Sequence, residues 1–549
     1  MASLNQRSGV LGKRLAAHLL RRATYRVSPA RIDDFAGKTA SQAVDELFLP
    51  TTPLYPNGPL YWNNGNLLFS PTNVDGGEYA ATQNDSFYRD NAVNFWRMYE
   101  SMHDTSIKWK LIDWFSTLFN LYTTHTYYYY YWKLLEALTG DDLKTLAVKA
   151  TLDNNMLNYL NNNQNSKFSP NENYAREFLE LFTILKGETI DTGNYTNYTE
   201  ADISTAARVL TGFRNSFSTM DTDTNVLRGT TNFNAHDTGN KTFSAAFGNT
   251  TITGANNAND MYRELNDFVD MVFDQLETAR AYVRKMYRFF VLDKITTEIE
   301  TDIIEPLANQ LKNNGYQHVP VLKRLLKSQH FYDDDDGNST NEIVGGKMKS
   351  PLEMFYQSVN LLNIQNSDTS PYNLFRERIY AVFNEHFKNV GYDHFGPTTV
   401  EGYPGFYDAP GYSKNWFSAN RIYERFTYGV SFRRGRVRNT GTYLPYQCDM
   451  IQWVENNVDD PAGPGTPFGP IGAANASKLV DDMLTYFLPE MPVNDRYTYF
   501  ENKLLGGLSP INWYFSWKEY LDTGNDSNVR VGIENLYDAL MSSPEFQTF

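Results

Sequence analysis

The sequence predicts a mainly α protein: a large multi-helix body, a small β-hairpin-bearing insertion, and long loops rich in aromatic residues, Gly and Pro. Three observations predict it. Apolar residues recur with the 3.6-residue helical period over most of the chain. Helix-start residues stand where several of those stretches begin. The period is lost in a few segments of quite different composition. The chain has 549 residues, of which 41% are hydrophobic, enough for a sizeable core.

The elements follow in order. Residues 12 to 24 predict an amphipathic helix, with Leu15, Ala16, Leu19, Leu20 and Ala23 on the apolar side. Arg14, Arg21 and Arg22 are expected on its solvated side. Ser28-Pro29 starts a short second helix, with Ser28 as N-cap and Pro29 at N1. Residues 51–90 are rich in Pro, Gly, Asn and Tyr and read as a long irregular segment. Ile107, Leu111, Phe115, Leu118, Phe119 and Tyr122 restore the helical period. The tyrosine run Tyr127 to Tyr131 would put rings on every side of a helix, so some are expected to face solvent or a partner. Leu143, Leu146, Ala147 and Ala150 continue the core, and residues 171–184 read as one helix. A further helix starts at Thr199, with Thr199 and Asp202 as a capping-box pair and Gly212 where a C-cap belongs.

Residues 214–256 lose the helical period. The runs Lys241 to Phe243 and Thr250 to Thr253 flank Gly248-Asn249 and predict a hairpin. Periodic stretches then resume through Leu265, Val283, Ile303 and Leu322. Ser350-Pro351-Leu352-Glu353 is a strong start signal. The loop 391–415 is rich in Gly, Pro and Tyr. Trp416, Ala419, Tyr423 and Phe426 are assigned to one helix, Leu479, Met483 and Tyr486 to another, and Val529, Ile533, Leu536 and Leu540 to the last. The expected division is a main body, 1–365, and a C-terminal helical region, 366–549, packed on it.

Composition excludes several functions. A net charge of −15 argues against nucleic-acid partners and against anionic membrane surfaces. The single cysteine, Cys448, allows no disulfide framework within the chain and reads as a small buried apolar residue. The apolar stretch Leu15 to Leu20 contains His18 and is too short for a secretory signal, so no signal peptide is read and the cytoplasm is the default location. No window has the apolar length of a membrane helix. The abundance of Tyr, Asn and Thr suits an exposed hydrogen-bonding surface, as in an exported or carbohydrate-facing protein. No Walker loop, dinucleotide glycine fingerprint, nucleophile elbow or His-Glu-x-x-His is present, and no cofactor is expected.

Four groups of residues carry candidate chemistry. On the helix 171–183, Asn173, Glu177 and Glu180 share a face, while Glu172–Arg176 and Arg176–Glu180 are spaced i, i+4. They form either a carboxylate site or a salt-bridge network. His236, Asp237 and Lys241 lie within six residues, as an acid–base or anion-binding group, or as a loop folded on an Asp237 Asx-turn. In that second reading Gly239 supplies a positive φ and Lys241 pairs with a helix carboxylate. Asp221, Asp223 and Asn225 open like a calcium loop but lack its later ligands. Asp333 and Asp335, in a run of four aspartates, are either solvated or hold a cation. Calcium is the one metal these runs leave open. His386, Asp393 and His394 give a weaker grouping.

Several ordered segments carry a resemblance: HLLRRATY at 18–25, NENYAREFLELFT at 171–183, YTEADISTAARVLTGF at 198–213, HDTGNKTF at 236–243, RKMYRFFV at 284–291, SQHFYD at 328–333, KSPLE at 349–353 and SPEF at 543–546. Together they resemble the bacterial family called "domain of unknown function 1800", in its Bacteroidota form, over essentially the whole chain. The resemblance implies a largely helical fold. It also implies a partner, since members are often encoded beside a phosphatase- or sulfatase-like exported protein of another uncharacterised family. Export or cell-surface association with such a partner follows as an alternative location. Many members carry two histidines where this chain has Trp114 to Phe119, and both are missing here. If those histidines bind metal in the family, that site is lost or altered in this chain.

The expected function is a non-catalytic binding or assembly protein, working with a partner protein or at a cell-surface structure. The alternative is a carboxylate-based hydrolase or transferase, acting for instance on a glycan, with Glu177 and Glu180 or His236 and Asp237 at its centre. A calcium-stabilised scaffold is the third.

Overall fold

The structure is a computed structural model that describes residues 2–55, 58–59, 93–94, 96–122, 128–335, 342–363, 387, 389–393, 396–397, 399–434, 448–458 and 472–549. Most of the segment 51–90 lies outside these residues, as do His386 and His394.

The described chain is mainly helical, with three two-stranded antiparallel sheets. The expected start signals are present as local geometry. The Ser28 side chain accepts from the Arg31 N–H ahead of the helix Pro29–Ala36. Thr199 and Asp202 close a capping box on Glu200–Val209, as do Ser350 and Glu353 on Pro351–Leu361. Each such cap satisfies backbone donors that the first helical turn leaves free. The hairpin also forms: Lys241–Thr242 pairs with Thr251–Ile252, and the chain reverses through Gly248 and Asn249, both at positive φ. Trp416 ends a 3-10 turn just before the helix Ala419–Arg434 instead of lying on it.

The segment 171–184 departs from one regular helix. An α-helical turn, Asn173–Glu177, runs into a π-helical turn, Phe178–Phe182. The wider turn changes the angular step per residue, so the face expected from a strict 3.6 period is not kept past Glu177.

One expectation about polarity is corrected. Arg21 and Arg22, placed on the solvated side of the helix Gly12–Ala23, are buried. Arg21 donates to the carbonyls of Leu488 and Tyr486 at 3.0 and 2.6 Å. Arg22 donates to the backbone oxygens of Val291, Ile343 and Phe549. A guanidinium with several donors on one plane can reach several carbonyls at once, including those a helix end leaves free. Of the tyrosine run, the side chains that are described are internal. Tyr129, Tyr130 and Tyr131 are buried, and the Tyr131 hydroxyl donates to the Phe119 carbonyl. The side chains of Tyr127 and Tyr128 lie outside the described residues. Much of the aromatic content therefore builds core, through pairs such as Tyr392–Tyr403 and Phe243–Phe268.

One buried apolar cluster runs from Ala2 to Phe546. Polar clamps tie segments on either side of residue 365 together. Lys349 donates to the Phe546 carbonyl at 2.7 Å, Arg425 to the Lys349 carbonyl at 2.8 Å, and the Trp453 indole to the Leu361 carbonyl at 2.9 Å. Cys448 is buried, and burial pushes its thiol up to about 12, so it is a packing residue. No helix among the described residues is long and apolar enough to cross a membrane.

Candidate functional site

The helix 171–183 and the loop 236–241 attach to opposite ends of one helix, Glu200–Val209. At its first turn Glu200 holds Arg176 through two bonds of 2.8 and 2.7 Å. At its last turn Arg208 holds Asp237 at 2.8 and 3.2 Å. About eight residues of helix, roughly 12 Å, separate the two pairings.

Within the first group, Glu172 lies 3.5 Å from Arg176. Glu180 pairs with Lys186 at 2.8 Å instead of with Arg176, because the π-turn carries it toward the chain that follows. Glu177 is half-buried. Burial raises its carboxyl, and the neighbouring charges of Glu180 and Glu401 raise it further. Asn173 is exposed and donates to the Leu160 carbonyl at 3.3 Å.

The second group is closed. His236 and Lys241 are both fully buried against Glu264 of the helix Ala258–Phe273. His236 Nε2 is 3.0 Å from Glu264, and Nδ1 is 2.8 Å from the Thr211 carbonyl. The Lys241 ammonium bonds Glu264 and the Asp237 carbonyl. Asp237 accepts from the Gly239 N–H at 2.9 Å, as an Asx-turn does. Burial alone would raise the Asp237 carboxyl, but Arg208 and that N–H hold it below the usual range. Gly239 is not at positive φ; the need for glycine falls instead on Gly254, where a Cβ would meet the Thr238 carbonyl at 2.1 Å.

The acidic runs have local partners. The Lys149 ammonium sits between Asp221, at 2.6 Å, and Asp223, at 2.7 Å. Asn225 adopts positive φ and its N–H closes the turn on the Asp221 carbonyl. Asp333 accepts from the N–H groups of Ile343 and Val344, and Asp335 from His330 at 2.9 Å and the Ser3 N–H at 2.9 Å. Among the described residues no three His, Cys, Asp or Glu side chains gather in a metal-holding group.

The most open chemistry lies elsewhere. A cavity of about 230 Å³ is bounded by the π-turn, by residues 117–120, by residues 400–412 and by the last two turns of the helix Leu276–Phe290. Leu118, Leu181, Phe182 and Leu185 form one wall, and Val400, Phe406, Tyr407 and Tyr412 form another. Lys285 and Arg288, spaced i, i+3, project into it from the same face of their helix. Lys285 donates to the Leu181 carbonyl, exposed by the π-turn, and Arg288 lies over the Tyr412 ring at 4.8 Å. Among the described residues no carboxylate pairs with either cation, and Arg288 Nε is buried without a hydrogen-bond acceptor. Burial pushes the Lys285 ammonium down to about 7, with Arg288 adding to the shift. Glu401, exposed, stands at the rim.

Cations near a helix C-terminus are favoured by the macrodipole, but here that end is already capped. Lys347 donates to the carbonyls of Arg288 and Phe289, and Arg22 to that of Val291. A second cavity, about 530 Å³, is larger and lined by Asp142, Lys144, Lys149, Asp221, Asp223 and Asp270. Its lysines are spent: Lys149 on two aspartates, and Lys144 on Asp270 at 2.8 Å. Size therefore ranks below unpaired charge, and the smaller cavity is the better site.

Sequence reasoning passed over Lys285 and Arg288. The signal was present, because neither has an Asp or Glu at i±3 or i±4, whereas Arg280 has Glu277. Residues 117–118, on the cavity wall, fall within the segment where the resemblance places histidines and this chain has none.

No curated protein and no solved structure matches the chain. Residues 18–548 match the family model described as "Protein of unknown function (DUF1800)", and the chain belongs to that family.

Proposed function

We propose that the protein is a non-catalytic binding protein whose ligand presents an anionic group to Lys285 and Arg288. One observation carries this reading. In a chain of net charge −15, two cations share a cavity and, among the described residues, make no salt bridge, Glu300 and Asp293 acting on Arg288 only from farther off. An unpaired buried charge is costly, so a bound anion would stabilise the folded protein as well as be held by it. Titration calorimetry of the full chain with sulfate and with acetate tests it. Saturable binding to the wild type, lost in Lys285→Met/Arg288→Gln, is the expected result. Absence of saturable binding, or binding indifferent to both substitutions, overturns it.

A second reading is favoured by Glu177. A half-buried carboxyl with a raised pKa, near Glu401 at the cavity rim, suits a proton-holding group in a carboxylate-based hydrolase or transferase. Its test is hydrolysis of anionic ester and glycoside probes by the wild type, with loss in Glu177→Gln. The assembly half of the expectation, a partner protein, rests on the resemblance alone.

A further inference from the structure

The cavity that holds Lys285 and Arg288 is not a polar one. Seven of its lining side chains are aliphatic or phenyl groups: Leu118, Leu181, Phe182, Leu185, Phe289, Val400 and Phe406. Neutral polar side chains are few, with Thr117 and Asn120 to one side and the two tyrosines opposite. An inorganic anion or a sugar acid would leave most of this wall against water or against hydroxyl groups that lack acceptors. Burying hydroxyls without partners is unfavourable, and burying apolar surface is favourable. The volume, about 230 Å³, falls below the ~300–1,000 Å³ of drug-sized sites, which restricts the ligand to a small molecule.

The two chemistries are also separated in space by the fold. The cations arise from one helix face, and the Leu181 carbonyl occupies part of the Lys285 donor set. This leaves Lys285 with further N–H groups and Arg288 with its guanidinium edge to meet an anion. The aliphatic wall comes from the π-turn and from residues 118 and 185, and the aromatic wall from 400–412. Leu185, three residues past the end of the π-turn, is held at positive φ, so the backbone is bent where this wall is made.

From this arrangement we infer that the ligand class is a small amphipathic anion, an arylalkyl or branched-chain carboxylate, with its carboxylate on Lys285 and Arg288 and its apolar body between the Leu181–Leu185 and Val400–Phe406 walls. The inference rests on the anion-binding reading and narrows it. Two oxygens of a carboxylate match a guanidinium and an ammonium three residues apart on one helix face. A phenyl or branched alkyl body gains apolar burial worth about tenfold or more in affinity over a bare acetate.

The test is competitive titration of the full chain with phenylacetate, acetate, benzyl alcohol and glucuronate. The expected order places phenylacetate about tenfold or more ahead of each of the others. Lys285→Met/Arg288→Gln abolishes phenylacetate binding. Val400→Asn, on the wall and away from the cations, weakens phenylacetate toward the acetate level and leaves acetate unchanged. Melting curves of each variant show that the fold is kept. If acetate binds through the two cations and phenylacetate binds no tighter, the apolar class is wrong and the anion reading stands. If glucuronate binds tighter than phenylacetate, the ligand is a hydroxylated anion and this inference is overturned. If none of the anions binds, both readings fail.

Discussion

Two cationic clusters in this chain are built from similar residues and end in opposite states. Around His236 and Lys241, every charge has a partner. Glu264 meets both side chains, Arg208 holds Asp237, and the buried donors reach carbonyls. Around Lys285 and Arg288, the cations meet a carbonyl and a ring face, and both side chains line a cavity. The first arrangement is a strut. It links the hairpin Lys241–Ile252 to the helix Ala258–Phe273, and His236, Lys241 and Glu264 are fully buried in it. The second leaves a charge deficit that an external anion can fill. The comparison teaches that titratable side chains close in sequence do not make a site; a missing partner does.

The largest expected effect breaks the strut. Glu264→Ala leaves the Lys241 ammonium buried without a counter-charge, and should cost about 3–5 kcal/mol in urea unfolding. An unchanged midpoint would show that the cluster contributes nothing to stability. Next, Arg22→Leu orphans the backbone oxygen of Val291 and removes a donor from those of Ile343 and Phe549, and should cost about 1–3 kcal/mol by the same measurement. Both substitutions should destabilise, whereas Lys285→Met/Arg288→Gln removes unpaired charge and should leave stability unchanged or raise it. A large loss in that double variant would make the cavity cations structural and erase the contrast. A smaller effect, about 1 kcal/mol, is expected for Thr199→Ala, which opens the capping box on the helix that joins the two regions.

Acidity separates the regions in another way. The folded Lys285 titrates near 7, below its ordinary value of 10.5. Between these values the unfolded chain binds more protons at this residue than the folded one, so this contribution to stability rises with pH across that window. Below about 7 both states are protonated, and the full penalty of burying the charge applies. Stability curves from pH 6 to 10 should therefore be steeper for the wild type than for Lys285→Met, and coincident curves would contradict the assignment. Anion affinity should run the other way, weakening as pH rises through about 7 and the ammonium is lost.

Much of the fold was legible in the sequence, because caps and periodicity are local. Ser28, Thr199 and Ser350 cap the helices that follow them, and Gly248-Asn249 turns the hairpin. The buried Arg21 and Arg22 were not legible. Their acceptors, Leu488 and Phe549, lie hundreds of positions away, and an arginine beside an apolar stripe reads as solvated until those carbonyls are in place. Tyr131 is a related case: its hydroxyl finds its acceptor at Phe119, which a helical projection of 127–131 does not contain. The cavity was the least legible feature. It requires the π-turn to free the Leu181 carbonyl and residues 400–412 to fold over a helix more than a hundred positions earlier. The acidic and histidine candidates drew attention because they cluster in sequence, and clustering is also how a loop satisfies itself.

The central claim is that the Lys285–Arg288 cavity, and not the His236–Lys241 cluster, receives an anion from solution. Anomalous diffraction from crystals soaked in bromide or selenate addresses it most directly, because it locates the ion. A peak is expected within hydrogen-bonding range of the Lys285 ammonium and the Arg288 guanidinium, and none at Lys241. A peak at Lys241, or ions bound only outside the cavity, would contradict it.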